Sequence, residues 1–379
     1  MKALRFCLFL ALVLVFIPPA FAAVDIDTPA SSAVIMDAET GEILMAKNPH
    51  ERMPTSSMSK TMTVYAVFKA LEEGRLKLSD TMPVSEKAWR KGGSKMFVEV
   101  NSDVAVEDLL KGVIVQSGND ATIVLAEGLA GSEENFGRAI TQLAKDIGME
   151  NTNLVNASGW PDPDHYSTAY DLALLAKHLI DDYPQYYDYF KMEEFTYNDI
   201  KQPNRNPLLY RNMGVDGIKT GHTEAGGYGL MASAIRDGRR VILVVNGLDS
   251  SRLRASESAR LIEWAFNSFE QKTLFEKGEE VAKIDVVYGQ KKTLPVTVGA
   301  DATDNLYKPQ QADLKVVVEY TDPLYAPIEE GQKVGNLRVE APGLEPKNFD
   351  LVAQTAVNEL GIFPKVMTKL TYMVLGKHK

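Results

Sequence analysis

Three short clusters in this chain of 379 residues carry side chains that could act together on a carbonyl. Ser57-Met58-Ser59-Lys60 sets a hydroxyl and an amine three positions apart, which on a helix puts them on one face, a turn apart. A serine hydroxyl is a weak nucleophile and needs a base beside it. A lysine serves if burial disfavours its charged form. Ser117-Gly118-Asn119 offers a second hydroxyl that can relay a proton and an amide that can hold a carbonyl. Lys219-Thr220-Gly221, followed by His222 and Thr223, supplies positive charge, a hydroxyl and room for close backbone approach. Taken singly, each cluster also fits something plainer: a capping serine with a surface lysine, a turn, and an edge strand with an exposed lysine.

The elements around them give the clusters their positions. Apolar Met58, Met62, Tyr65 and Phe68 predict a helix over about Ser57–Glu72. Helices are expected over Val106–Val115 and Ala121–Leu129, so that Ser117-Gly118-Asn119 falls in the turn between them. Thr168 with Asp171 reads as a capping box opening a helix through Leu179. Val215–His222 reads as a strand. Tyr228–Ile235 and Arg240–Gly247 read as a hairpin about Asp237-Gly238, and Ala33–Met45 as another about Glu39-Thr40-Gly41. A helix is expected over Arg254–Phe269. Beyond about Leu274 the pattern changes to short strands at Val281–Val287, Thr293–Val298, Leu314–Tyr320 and Lys333–Val339, a small all-β unit.

Composition narrows the function classes. Hydrophobic residues make up 45% and charged residues 24%, an ordinary globular balance. The formal net charge of -10 disfavours nucleic acid as a partner, since phosphate binding needs a basic surface. Lys2 and Arg5, the apolar run Phe6–Ile17 and Ala20-Phe21-Ala22 form a secretory signal peptide, too short to span a membrane. Without residues 1–22 the chain carries 39 basic and 51 acidic residues, or -12. The single cysteine, Cys7, lies inside the signal, so the exported chain is expected to hold no thiol or disulfide. The histidines His50, His165, His178, His222 and His378 lack metal-ligand spacing, and neither metal nor organic cofactor is expected. At the other end, Phe363, Val366, Met367, Leu370, Met373 and Val374 share one helical face, with Lys365 and Lys369 opposite. A basic amphipathic helix at a terminus predicts attachment to an anionic membrane surface.

The three clusters occur in the order S-x-x-K, S-x-N, K-T-G, at a helix start, an interhelical turn and a strand, the signature of serine penicillin-recognising enzymes. With the longer stretches Gln116–Ala121 and Asp216–Thr223, the chain resembles the low-molecular-mass penicillin-binding proteins that are D-alanyl-D-alanine carboxypeptidases. The resemblance implies an α/β (α+β) transpeptidase domain of the penicillin-binding-protein/β-lactamase type, a sheet flanked by helices. A small all-β domain and a C-terminal amphipathic helix follow. The expected divisions are 1–22 signal, 23–273 catalytic, 274–353 β domain and 354–379 membrane-anchoring helix.

It also implies roles. Ser57 attacks the carbonyl between the two terminal D-alanines of a peptidoglycan stem peptide, and Lys60 takes its proton. The backbone N–H groups of Ser57 and His222 form the oxyanion hole. Ser117, with Lys219, passes the proton to the leaving D-alanine, and Asn119 orients the peptide amide. Thr220 and an arginine, Arg205 or Arg254, receive the terminal carboxylate. β-Lactams acylate the same serine. The segment Trp89–Phe97 is shorter than the corresponding loop of some family members. The rival readings are a class A β-lactamase, for which no E-x-x-L-N pattern lies between Ser117 and Lys219, a DD-endopeptidase with the same residues, and a non-catalytic wall-binding or β-lactam-sensing module. The last has no need of Ser57, Lys60, Ser117 and Lys219 together.

Overall fold

The computed structural model describes residues 26–340 and 345–367. The expected signal peptide with Cys7, and the end of the expected C-terminal helix, lie outside the described residues. The first hairpin is β1 (Ser32–Asp37) and β2 (Ile43–Lys47). A single 3-10 turn, Ser56–Ser59, leads into α1 (Lys60–Glu72). The helices α2 (Val106–Ile114), α3 (Asn119–Ala130), α4 (Glu133–Asp146) and α5 (Ala169–Asp182) follow. The strands β3 (Val215–Thr223), β4 (Gly227–Arg236) and β5 (Arg239–Leu248) and the helix α6 (Ser251–Ser268) complete the larger unit.

These five strands form one antiparallel sheet in the order β2-β1-β5-β4-β3, and two short two-stranded ribbons, Thr81–Pro83 with Asp103–Ala105 and Glu194–Tyr197 with Ile200–Pro203, lie outside it. Both faces are covered, which is why β4 and β5 read as near-continuous apolar runs rather than alternating ones. Val34, Met36, Ile218, Met231, Ile242 and Val244 pack with the helices α1 to α5. Ile35, Leu230, Ala232, Leu243 and Val245 pack with Leu261, Ile262 and Ala265 of α6. At about 1.5–3 kcal/mol for each large apolar side chain buried, these two cores hold the sheet rigid under the site. The β4–β5 turn has positive φ at both Asp237 and Gly238, the geometry that matches strand twist in a two-residue hairpin.

Several elements differ from the sequence expectation. The α-helix starts at Lys60, so Ser57 lies in the 3-10 turn before it. α3 starts at Asn119, so that residue belongs to the helix rather than to the turn. Thr168 does cap α5, accepting from the N–H of Asp171 at 3.0 Å. The Asp171 carboxylate also accepts from the N–H of Asn151 at 2.9 Å and the hydroxyl of Thr152 at 2.7 Å. α4 was not foreseen, although Ser132 caps it and Phe136, Ile140 and Ala144 are buried at helical spacing.

The second unit contains β6 (Phe269–Phe275), β7 (Glu280–Val287), β8 (Thr293–Val298), β9 (Ala302–Tyr307), β10 (Lys315–Tyr320), β11 (Leu324–Tyr325), β12 (Lys333–Glu340) and β13 (Lys347–Ala353). Six of them form a sheet in the order β10-β12-β13-β8-β7-β11, while β6 and β9 make a separate ribbon. That ribbon starts directly after α6, ahead of the expected boundary at 273. Phe269 and Leu306 belong to the α6 core, and Ala302 to the β core, so the ribbon ties the units together. Beside it, the half-buried Lys347 ammonium bridges Glu42 and Asp304, each at 2.6 Å. Residues 362–367 are helical and leave Ile362 and Phe363 87% and 80% exposed.

Candidate active site

The 3-10 turn carrying Ser57 is wedged between the edge strand β3 and a loop at 156–160. Gly221 lets β3 approach: a Cβ there would lie 2.9 Å from the Thr55 carbonyl oxygen and 3.1 Å from Met58 Cγ. Gly159 lets the loop approach: a Cβ there would lie 1.7 Å from the Ser56 carbonyl oxygen, and its φ is +76°. Asn156 shapes that loop. Its Oδ1 accepts from the N–H groups of Ser158, Gly159 and Trp160 at 3.2, 2.9 and 3.0 Å.

Lys60 is fully buried, with Nζ 2.8 Å from Ser57 Oγ and 2.7 Å from the Ser158 carbonyl oxygen. Burial lowers its pKa to about 7, and the positive charges of Arg205 and Lys91 push the same way against Asp120. The neutral amine can donate to Ser158 while its lone pair receives the Ser57 proton. This is the arrangement a serine nucleophile requires.

The turn at Ser117 brings the second cluster in. Ser117 is buried at φ +60°, a conformation that costs a non-glycine residue of order 1 kcal/mol. Its Oγ makes no hydrogen bond to another described residue. Asn119 is buried, its Nδ2 donating to the Gly92 carbonyl at 2.8 Å and its N–H to that of Ser94 at 2.8 Å. The next residue, Asp120, fixes the same loop by accepting from the N–H groups of Met96 and Phe97, both at 2.9 Å.

Strand β3 supplies the third cluster. Lys219 and Thr220 are buried and His222 is exposed, its ring stacked 3.9 Å from that of Tyr228. Burial drives the Lys219 ammonium pKa far below the ordinary lysine range, reinforced by the charges of Lys60, Arg205 and Arg254. Arg254 reaches from α6 to the Gly221 carbonyl at 3.4 Å, lies over the Tyr228 ring, and leaves its buried Nε without a hydrogen-bond partner among the described residues. Arg205 donates to Ser94 Oγ at 2.6 Å. The structure sets Lys60 against Ser57, and Lys60, Lys219, Arg205 and Arg254 lie close enough for their charges to act on one another. Sequence reasoning missed Asn156, Ser158, Ser94 and Tyr228, and weighed Asp120 only as part of a longer stretch. The described residues contain no group of three or more side chains suited to a metal ion.

A fully buried amine lies against a serine hydroxyl, beside a strand edge flanked by two arginines, an arrangement chemically suited to serine acyl transfer. Residues 20–250 match the peptidase S11 family, described as D-alanyl-D-alanine carboxypeptidase, and residues 269–359 match the penicillin-binding protein 5 C-terminal domain. The chain is 38% identical to D-alanyl-D-alanine carboxypeptidase DacA of Haemophilus influenzae, over 92% of this chain and 90% of that one. Among solved structures, carboxypeptidase DacD from Francisella tularensis superposes with a TM-score of 0.79 at 32% identity, covering 91% and 96% of the two chains. Penicillin binding protein 5 from Haemophilus influenzae does so with a TM-score of 0.75 at 37% identity, covering 90% and 99%. The chain belongs to the peptidase S11 family of serine D-alanyl-D-alanine carboxypeptidases.

Proposed function

We propose that Ser57 is the nucleophile with which this enzyme removes the terminal D-alanine from peptidoglycan pentapeptide stems. The observation that carries this reading is the buried Lys60 amine, with its pKa near 7, 2.8 Å from Ser57 Oγ. The Ser57 hydroxyl gives its proton to Lys60 as Oγ bonds to the penultimate D-alanine carbonyl carbon. The N–H groups of Ser57 and His222 hold the developing oxyanion, each such donor being worth about 3 kcal/mol. Collapse breaks the C–N bond, and the leaving D-alanine nitrogen takes a proton through Ser117 and Lys219, whose burial favours a neutral amine able to shuttle it. Asn119 orients the upstream amide. Thr220 with Arg205 and Arg254 takes the terminal carboxylate, a geometry that suits an arginine fork. Water then hydrolyses the acyl-enzyme.

Penicillin carries a carboxylate and a strained amide in the same relation, so it acylates Ser57 and inhibits. The proposed setting is the periplasmic side of the cytoplasmic membrane, with the chain held at the surface by its C-terminal helix. The exposed Ile362 and Phe363 support that attachment. No helix among the described residues is long and apolar enough to cross a membrane. Incubation with a pentapeptide ending in D-Ala-D-Ala is expected to release one D-alanine per peptide with the native chain and none with Ser57→Ala. Equal release by both proteins refutes the assignment of Ser57.

A further inference from the structure

The loop that supplies the Ser158 carbonyl to Lys60 continues into Trp160, which is 42% exposed. Its position beside the site is fixed by Gly93: a Cβ on that residue would lie 3.3 Å from the Trp160 ring and 2.7 Å from Asn119 Nδ2. The ring therefore borders the amide that faces the upstream part of a bound peptide. Lys91 caps the ring, its ammonium 4.2 Å from the centroid. Among the described residues it makes this contact and no ion pair with a carboxylate. Asp120, the acid whose charge acts on Lys60, is spent on the N–H groups of Met96, Phe97 and Val98. Lys91 is close enough to the centre for its charge to act on Lys60. A half-buried ammonium held over an indole beside a substrate amide, in a chain of net charge -10, is an anion-accepting position that the reaction itself does not use.

We propose that Lys91 and Trp160 form a specificity subsite for a long aliphatic side chain ending in a carboxylate, on the stem residue immediately before the two D-alanines. This deepens the carboxypeptidase reading and rests on it. With the terminal carboxylate at Thr220 and the arginines, and the scissile carbonyl at Ser57, an extended peptide carries its next residue past Asn119 to the Trp160 ring. The indole face covers the methylenes of that side chain and Lys91 meets its acid. An aromatic face holding a cation also keeps the ammonium from collapsing onto the protein, since the pair is worth about 0.5–1 kcal/mol at an exposed site.

The test uses two acetylated tripeptides, X-D-Ala-D-Ala, in which X is 2-aminoadipate or its neutral counterpart norleucine, with D-alanine release as the readout. The full chain is expected to prefer the acidic peptide by about fivefold in kcat/KM, the size of a partly exposed ion pair. In Lys91→Met the ratio falls to about one through a higher KM for the acidic peptide, and Lys91→Arg restores it. Comparing two peptides on the same variant cancels any effect of Lys91 on the Lys60 amine. The preference shrinks at 1 M salt. No preference in the native chain, or the same preference in Lys91→Met, overturns the subsite while leaving the carboxypeptidase reading intact. Release from neither peptide overturns that reading and the subsite with it.

Discussion

Lys60 Nζ donates to the Ser158 carbonyl at 2.7 Å, and this bond aims the other side of the amine at Ser57. The carbonyl is held in place by Asn156, whose single oxygen accepts from three successive N–H groups. Replacing Asn156 with Ala removes the acceptor of all three hydrogen bonds at once and frees the loop. Because an error of about 1 Å at a reacting pair can cost about a hundredfold, Asn156→Ala is expected to slow acylation by penicillin by about ten- to a hundredfold. Stopped-flow acylation with a chromogenic β-lactam measures this, and an unchanged rate shows that the loop does not orient Lys60.

The pH dependence of acylation follows from the Lys60 amine. Its pKa near 7 means that the competent neutral form grows as pH rises through 7. The acylation rate should rise with a midpoint near that value. Arg205 disfavours the protonated amine, so Arg205→Gln should move the midpoint to higher pH, whatever it does to the plateau. A midpoint that stays still or moves down contradicts the assignment of Lys60 as base.

Behind the nucleophile turn, the N–H of Val155 donates to His165 Nδ1 at 3.2 Å, leaving Nε2–H to donate to Ser59 Oγ at 2.7 Å. Ser59 Oγ in turn contacts the Thr55 hydroxyl. Burial lowers the His165 pKa from 6.5 to about 4. The native state therefore binds fewer protons than the unfolded chain between those values. Stability from this group is present above pH 6.5 and is lost as pH falls toward 4, by up to about 3 kcal/mol. Urea unfolding of the native chain and of His165→Gln at pH 7.5 and 4.5 isolates the effect, because other groups cancel in the difference. The variant should lose less stability on acidification, and identical losses refute the buried neutral tautomer.

How much of this was legible beforehand varies with the physics involved. The three clusters, the edge strand and the Asp237-Gly238 hairpin could be read because their signals are local: spacing, periodicity and turn chemistry. α4 had an equally local signal in Ser132, Phe136, Ile140 and Ala144, and it was passed over. The 156–160 loop had none, since Asn-Ala-Ser-Gly-Trp has no period and its role depends on Lys60, 98 residues away along the chain from the carbonyl it meets. The depressed Lys60 and Lys219 pKa values are likewise products of burial by distant segments. The ribbon β6–β9 was missed as a junction because its two strands belong to different cores.

At that junction Lys347 stands between Glu42 and Asp304, with Asn305 Nδ2 donating to the same Glu42 carboxylate at 2.8 Å. Removing Lys347 leaves the buried Asp304 carboxylate unpaired, at a cost below the ~3–5 kcal/mol of a fully buried pair because Lys347 is itself only half-buried. Lys347→Met is expected to lower the melting temperature by several degrees while penicillin labelling at 25 °C persists in the folded fraction. A melting temperature equal to that of the native chain shows that the bridge does not hold the two units together.

The central claim is that a hydroxyl made reactive by the amine of Lys60 takes the acyl group. The direct measurement is tandem mass spectrometry of the full chain after brief penicillin treatment. A single adduct with the mass of the whole antibiotic on the peptide containing Ser57, absent in Lys60→Met, is the predicted result. An adduct on Ser117 or elsewhere, or full labelling of Lys60→Met, contradicts it.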